Sequence, residues 1–347
     1  MIIKCDIDTI ALPKNFLKEK KTTITLGNFD GVHLGHQALL KTIYLTAKKQ
    51  QSISTVITFE PHPQAVLIGE SPSLLTTKKE KLKLIKSMGI DLIFQLNFTS
   101  TLANMTTEQF VQSILLERLH MEGIVLGHDF SMGKERLGTQ HVLSTLGKTM
   151  GFTVTHQPVF TFKEQPVSSS LIREAIQEGA IEKANLLLGR CYSIDGTIIH
   201  GKKRGRMLGF PTANLALSSN LIPSTGVYAT LVTLESNQDN TFYIPVQHQK
   251  NTFLAVTNIG INPTFGDSIP KIETHLLNFH NDLYEQHMTI NFLKKLREEA
   301  IFSNISSLIT QIKDDISQTK TIFKNMLWPQ SLSLEDPVDR MDATLKT

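Results

Sequence analysis

Hydrophobic and polar positions change rhythm once along the chain. Up to about residue 188, short apolar runs alternate with amphipathic ones. "TTITLG" (22–27), "ISTVITFE" (53–60), "DLIFQL" (91–96), "GIVLG" (123–127) and "FTVTHQPVF" (152–160) have the brevity and β-branched content of strands. Between them, "GHQALLKTIYLTAKK" (35–49), "KKEKLKLIKSMG" (78–89), "TTEQFVQSILLERL" (106–119) and "TQHVLSTLGKTMG" (139–151) have the helical period. Thr77 with Glu80, and Thr106 with Gln109, stand at capping-box spacing, and Gly89 ends the first of those two helices. "SSSLIREAIQEG" and "AIEKANLLLG" then predict two short helices. Strand–helix alternation of this kind predicts an α/β doubly wound parallel sheet, whose ligands sit beyond the carboxyl ends of its strands.

From about Tyr192 the strands follow one another without helices. "YSIDGTIIH", "GVYATLVTLE", "FLAVTNIG", "KIETHLLNF" and "HMTINFLKKL" are separated by Gly, Pro and Asn, and "ISSLITQIKDDISQTKTIF" is the one long helix. The pattern predicts an antiparallel β-barrel domain with a C-terminal helix. The boundary is expected near "LLLGRCYS", giving residues 1–188, 189–325 and an aperiodic extension over 326–347.

Composition narrows the field. A net charge of +3 over 347 residues argues against a nucleic-acid coat or a polybasic membrane binder. Cys5 and Cys191 are far apart and lack metal-ligand spacing, as expected in a reducing compartment. The start reads as no signal peptide, and no uncharged apolar run reaches the roughly 20 residues of a membrane span. The expectation is a cytoplasmic protein acting on small molecules, without nucleic-acid or membrane partners, as a monomer or weak homo-oligomer.

"TLGNFDGVHLGH" (25–36) follows the first of these strands and opens a helix. His33 and His36, three apart at a helix start, can face one point beyond the sheet. Gly27, Gly31 and Gly35 allow close approach of a phosphate chain, which the helix amino terminus favours. Two imidazole donors there suit attack on an α-phosphate with pyrophosphate leaving. A metal site would need a third ligand that is not evident nearby, and the G-x-G-x-x-G fingerprint is absent. "VSSSLIREAI" adds Ser168, Ser169 and Arg173 at a helix start, which are either ordinary caps and a solvated cation or a clamp for β- and γ-phosphates. His120, His141 and His156 read as ordinary histidines.

"HGKKRGRMLGFPTANL" (200–215) packs four basic residues into five positions. It reads as a solvated loop, a nucleic-acid patch without flanking aromatics, or a Gly-rich phosphate loop over ATP. In the last case Gly201, Arg206, Gly209 and Phe210 face ATP, and Thr212 and Asn214 offer hard oxygen donors to Mg²⁺. Glu273, in a largely apolar strand, is a candidate general base or a structural ion-pair partner.

These motifs resemble the bacterial bifunctional riboflavin kinase/FMN adenylyltransferase family over roughly residues 20–320. "GNFDGVHLGH", "TFEPHPQ", "GHDFSMGKERLGT" and "VSSSLIR" are similar to its adenylyltransferase module, an HxGH nucleotidyltransferase. The resemblance implies ATP binding by Gly27, Phe29, Asp30, Gly31, His33, His36 and Arg173. It implies nucleotide and flavin contacts from Glu60, Pro61, His62 and Pro63, and from Gly127, Asp129 and Phe130. "GFPTANL", "PSTGVYAT", "VTNIGINPTFG", "ETHLLNF" and "LREEAIF" are similar to its riboflavin kinase module. That implies Mg²⁺–ATP on Thr212 and Asn214, Glu273 as catalytic base, and flavin contacts from Arg297 and Glu299. The chain departs from the family's usual residues at Ser131-Met132, Cys191 and Asn262, and in a longer connection after Leu234. The implied function is synthesis of FMN and then FAD, with ATP as co-substrate and flavins as substrate and product. Two rivals are a one-function nucleotidyltransferase with another phospho-acceptor and a non-catalytic flavin-binding module.

Overall fold

The computed structural model describes residues 1–14, 20–201, 204–217, 221–234, 251–261 and 270–325. Asn262, Lys202, Lys203, most of the long connection after Leu234 and the extension over 326–347 lie outside the described residues. The chain divides into two compact units: Met1–Leu74 with Lys78–Ser168, and Leu75–Thr77 with the chain from Ser169 onward.

The first unit is a wholly parallel six-stranded sheet. Its chain order begins β1 (Ile2–Cys5), β2 (Thr22–Leu26), α1 (Leu34–Gln50), β3 (Ile53–Glu60), α2 (Pro63–Leu67) and α3 (Lys78–Ser87). It continues with β4 (Leu92–Asn97), α4 (Ser100–Ala103), α5 (Thr107–Phe110) and β5 (Met121–Leu126). A small ribbon of β6 (Ser131–Met132) and β7 (Gly138–Thr139) precedes α6 (Gln140–Met150) and β8 (Thr153–His156), and a second ribbon pairs β9 (Thr161–Phe162) with β10 (Gln165–Pro166). The order across the sheet is β1-β4-β3-β2-β5-β8. The chain winds one way from β2 through β3 to β4, then returns past β2 to β5. The switch point therefore lies between β2 and β5, where the carboxyl ends of adjacent strands open a crevice. The sheet is buried on both faces, with Ile24, Leu26, Ile57 and Phe94 on one side and Leu40 and Ile43 of α1 packed on the other. Each such side chain stabilises the fold by about 1.5–3 kcal/mol.

β1 and the helix over 106–119 are among the elements that differ from expectation. Ile2–Cys5 forms an edge strand paired to β4, although four residues are too short to show a period. The helix expected over 106–119 starts with the predicted Thr106–Gln109 capping box but becomes π-helical over Val111–Leu116, where Glu117 N–H bonds to Gln112 at 3.1 Å and Leu119 N–H to Ile114 at 3.0 Å. The widened turn keeps Val111, Ile114 and Leu115 all buried.

The second unit starts with α7 (Ser169–Gln177) and α8 (Ile181–Leu188). A closed antiparallel barrel follows: β11 (Tyr192–Ile199), then α9 (Arg204–Met207), β12 (Ala213–Leu217), β13 (Gly226–Leu234), β14 (Thr252–Gly260), β15 (Lys271–Leu276) and β16 (His287–Arg297). α10 (Ile305–Asn325) packs on β13, β14 and β16. The barrel closes because β11 pairs with β12 on one side and β16 on the other, leaving no edge strand. Tyr192 and Tyr228 are fully buried, with both hydroxyls satisfied by the backbone of Leu221 and Ser224 and with Phe292 beside both rings. Asn185 of α8 donates to Phe292 O at 2.9 Å and accepts from Tyr192 N–H at 2.6 Å, so this helix is stitched to the barrel.

Candidate active sites

In the first unit the loop after β2 makes the strand-to-helix turn at the switch point. Phe29 and Val32 take positive φ (52° and 38°), as does Gly31 at 79°. Backbone strain at two non-glycine residues in one short loop marks a geometry imposed for a purpose. His33 is the N-cap of α1, its Nδ1 accepting the His36 backbone N–H at 3.3 Å. That bond leaves the proton of neutral His33 on Nε2. The two rings stack with centroids 3.7 Å apart and 16° between planes, and Phe29 packs on His36 at 5.2 Å. Burial holds the His36 pKa well below the ordinary imidazole value, with His33 and then Lys81 adding to the effect. The neutral form of His36 is favoured, and its buried Nδ1 has no hydrogen-bond partner among the described residues.

The spacing expected glycine to serve phosphate approach, and the structure adds a different reason at two positions. A Cβ on Gly35 would meet the His33 ring at 3.2 Å, and one on Gly27 would meet the Phe29 ring at 3.2 Å. Both glycines make room for rings. Val167, beside Ser168, lies over the same turn, with its carbonyl oxygen 3.6 Å from a Gly35 Cβ. Ser169 and Arg173 fall on α7, in the second unit.

The Glu60–Pro63 loop leaves the end of β3 through a cis Glu60–Pro61 peptide. His62 caps α2, accepting from Gln64 N–H at 3.3 Å, and its Nε2 meets Asn28 Nδ2 at 3.2 Å. Thr58 bonds Asn28 O at 3.2 Å, so this loop and the histidine loop are tied together. Asp30 is buried beside them. Gly127, Asp129 and Phe130 follow β5, across the switch point from the histidine loop, with Phe130 packed on the sheet core. Ser131 and Met132 form a ribbon strand.

In the second unit, strand register builds the site. Asn214 stands directly opposite Glu273, and Glu273 directly opposite Asn258. All three lie on the outer face of the barrel, because Ile272, Thr274 and Leu276 alternate into its interior. Asn258 Nδ2 reaches Glu299 Oε1 at 3.5 Å. The sequence suggests a phosphate loop for the PTAN residues, yet Ala213 and Asn214 open a strand; Pro211 just before it accepts from His275 Nδ1 at 2.8 Å, and Phe210 sets its ring edge against His275. A Cβ on Gly201 would strike the Asn214 amide, so a larger residue there would push that side chain aside. Thr212 and Arg206 are exposed, and Gly209 has φ +86° at the end of the α9 turn. Arg297 is held in place: Nε and Nη2 form a bidentate pair with buried Asp315 at 2.8–3.2 Å, and Nη1 donates to Glu298 O at 3.1 Å. Asn258, His275 and Asp315 escaped the motif reading. A face count along β14 and β15 finds the first two, since 258, 273 and 275 all fall on outward positions.

Stacked imidazoles at a helix amino terminus suit an anion, and a carboxylate between two amides suits a hydroxyl beside a hard cation. Together they define a two-module transferase working on nucleotide phosphates. Residues 16–171 match the FAD synthetase family and residues 188–323 the riboflavin kinase family. A bifunctional riboflavin kinase/FMN adenylyltransferase from Buchnera aphidicola (subspecies Schizaphis graminum) is 37% identical over 306 residues, 87% of this chain and 94% of that one. Its counterpart from Bacillus subtilis is 35% identical over 326 residues, 91% and 98% of the two chains. The chain belongs to the bifunctional riboflavin kinase/FMN adenylyltransferase family, with the FAD synthetase module first and the riboflavin kinase module second. A solved structure from Streptococcus pneumoniae, titled a macrolide-efflux protein, superposes with a TM-score of 0.80 at 26% identity, over 92% of this chain and 98% of its own. Among the described residues of the present chain, no helix is long and apolar enough to cross a membrane.

Proposed function

We propose that the two reactions divide between the two constellations. At the barrel, ATP and riboflavin give FMN and ADP. Glu273 takes the proton of the ribityl hydroxyl as that oxygen attacks the γ-phosphorus. The run holding Gly201, Arg206, Gly209 and Phe210 covers the ATP phosphates, and Glu299 and Arg297 border the flavin. Thr212 and Asn214 fit Mg²⁺, being neutral oxygen donors beside a carboxylate, the donor type this ion takes when substrate phosphates supply its other ligands. When bound, the ion neutralises charge on the β- and γ-phosphates.

At the sheet, FMN and a second ATP give FAD and pyrophosphate. His33 and His36 donate N–H bonds to the charge that develops around the α-phosphorus. Gly27, Phe29, Asp30 and Gly31 shape the ATP pocket, and Ser168 borders the departing phosphates. Glu60 to Pro63 and Gly127, Asp129 and Phe130 line the flavin side. An FMN phosphate is already ionised at neutral pH, so this step needs no general base. The modules are taken as residues 1–188 and 189–325, in a cytoplasmic enzyme of small-molecule substrates that is a monomer or weak homo-oligomer.

The observation carrying this reading is the register that sets Asn214 and Glu273 side by side, because it places a hard oxygen donor for Mg²⁺ next to a carboxylate able to take the hydroxyl proton. Incubating the chain with riboflavin, Mg²⁺ and ATP and following flavins by chromatography tests it. FMN should rise first and FAD follow, and neither should form when Mg²⁺ is chelated. Phosphorylation that persists without divalent cation would remove Thr212 and Asn214 from their assigned role.

A further inference from the structure

α3 carries Lys78, Lys79, Lys81, Lys83 and Lys86. Lys78, Lys79 and Lys86 are exposed, as a lysine-rich helix face should be, but Lys81 is 9% exposed. Its stem runs inward to the end of β3, where Nζ donates to Phe59 O at 3.4 Å. That long bond is the one hydrogen bond described for an ammonium with three donors, and among the described residues no carboxylate closes an ion pair with it. Glu60 and Asp30 are close enough for their charge to be felt, and Lys81 in turn acts on His36. Burial pulls the Lys81 pKa below the usual lysine value, while Glu60 and Asp30 pull it back. Structural lysines in protein interiors are normally paired, since an unpaired buried charge is strongly unfavourable. A lysine kept buried, with donors to spare, between the histidine loop and the Glu60 loop is shaped for an anion that arrives from outside.

We propose that Lys81 is a further substrate-contacting residue of the adenylyl-transfer site, its ammonium taking up a phosphate oxygen of the reacting nucleotides. The inference rests on the assignment of that reaction to the first unit. In the step itself an FMN phosphate oxygen bonds to the α-phosphorus of ATP. The bond from that phosphorus to the bridging oxygen of the β-phosphate breaks, and its electron pair leaves on pyrophosphate. Two anions must approach each other, and the equatorial oxygens gain charge. The imidazoles supply hydrogen bonds, burial disfavours a charge on His36, and Lys81 supplies a cation beside them. Stripped of most of its water, an ammonium acts on these oxygens more strongly than a solvated one.

Lys81→Met keeps the length of the stem and removes the charge. For a substrate-binding lysine, activity should fall far more than stability. FAD formation from supplied FMN and ATP should fall by about 10²-fold or more in kcat/KM. The melting temperature of the first unit should stay close to the parent's, because Lys81 closes no ion pair among the described residues and its one described hydrogen bond is 3.4 Å long. The separate KM values identify the phosphate: a rise confined to FMN assigns Lys81 to the flavin phosphate, and one confined to ATP assigns it to the α-phosphate. FAD formation within twofold of the parent would overturn the inference, and so would lost activity with a lowered melting temperature, the mark of a merely structural lysine. The parent chain, assayed alongside, separates the two ideas: if it makes no FAD, the site assignment fails before Lys81 is in question.

Discussion

His36 shows how much one side chain's surroundings decide. Its ring packs against His33 and Phe29, and burial disfavours a positive charge there, with His33 and then Lys81 adding to the effect. The native state therefore refuses a proton that the unfolded chain accepts below about pH 6.5. Above that pH both states are neutral and His36 makes stability no more or less pH-dependent. Below it the unfolded state binds more protons, and stability falls as pH drops, by up to about 1.4 kcal/mol per pH unit for this one group. Denaturant titrations of the first unit's unfolding at pH 7, 6 and 5 should show that decline, and His36→Gln should flatten it by one proton's worth. Equal slopes in parent and variant would mean that His36 is protonated in the native state.

At the scale of elements, the bidentate Arg297–Asp315 pair joins the last barrel strand to the terminal helix. Asp315 is 1% exposed and also accepts from Gln311 at 3.0 Å. Removing one partner of such a buried pair leaves the other charge uncompensated, so Asp315→Asn should lower the stability of the second unit by about 3 kcal/mol. The change is read as an earlier unfolding transition there, with the first unit's transition unmoved. This strap also shows where sequence reading stops. In "QIKDDISQTK" Asp315 looks like one more charge on a solvated helix face, and only the packing of α10 on the barrel turns it inward. Lys81 hides in the same way among the other lysines of α3. Elements with a clear period were legible: β2 to β5 and the barrel strands longer than six residues lie where their apolar runs put them. Those without one were not, such as β1 with four residues and β12, whose first residues carry a chemical motif that outweighs its strand pattern. Periodicity also cannot say which body a helix joins. α7 and α8 precede the expected boundary, yet Asn185 and the Glu182–Lys294 ion pair fasten α8 to the barrel.

For the whole molecule, two sites in two separately packed units predict that the activities can be removed one at a time. His33→Ala should leave FMN formation intact and lower FAD formation by roughly 10²-fold or more, the size expected for a lost transition-state donor. Glu273→Gln should abolish riboflavin phosphorylation and leave FAD synthesis from supplied FMN unchanged. Paired assays of the two variants check this, and parallel loss of both activities in either folded variant would mean that the sites are not independent. Barrel closure carries one more consequence. All six strands of the sheet exist once the ribosome has passed His156, whereas β11 must wait for β16, about a hundred residues later, before the ring can shut. The half that uses FMN is thus complete on the nascent chain well before the half that makes it, so synthesis runs opposite to the chemistry.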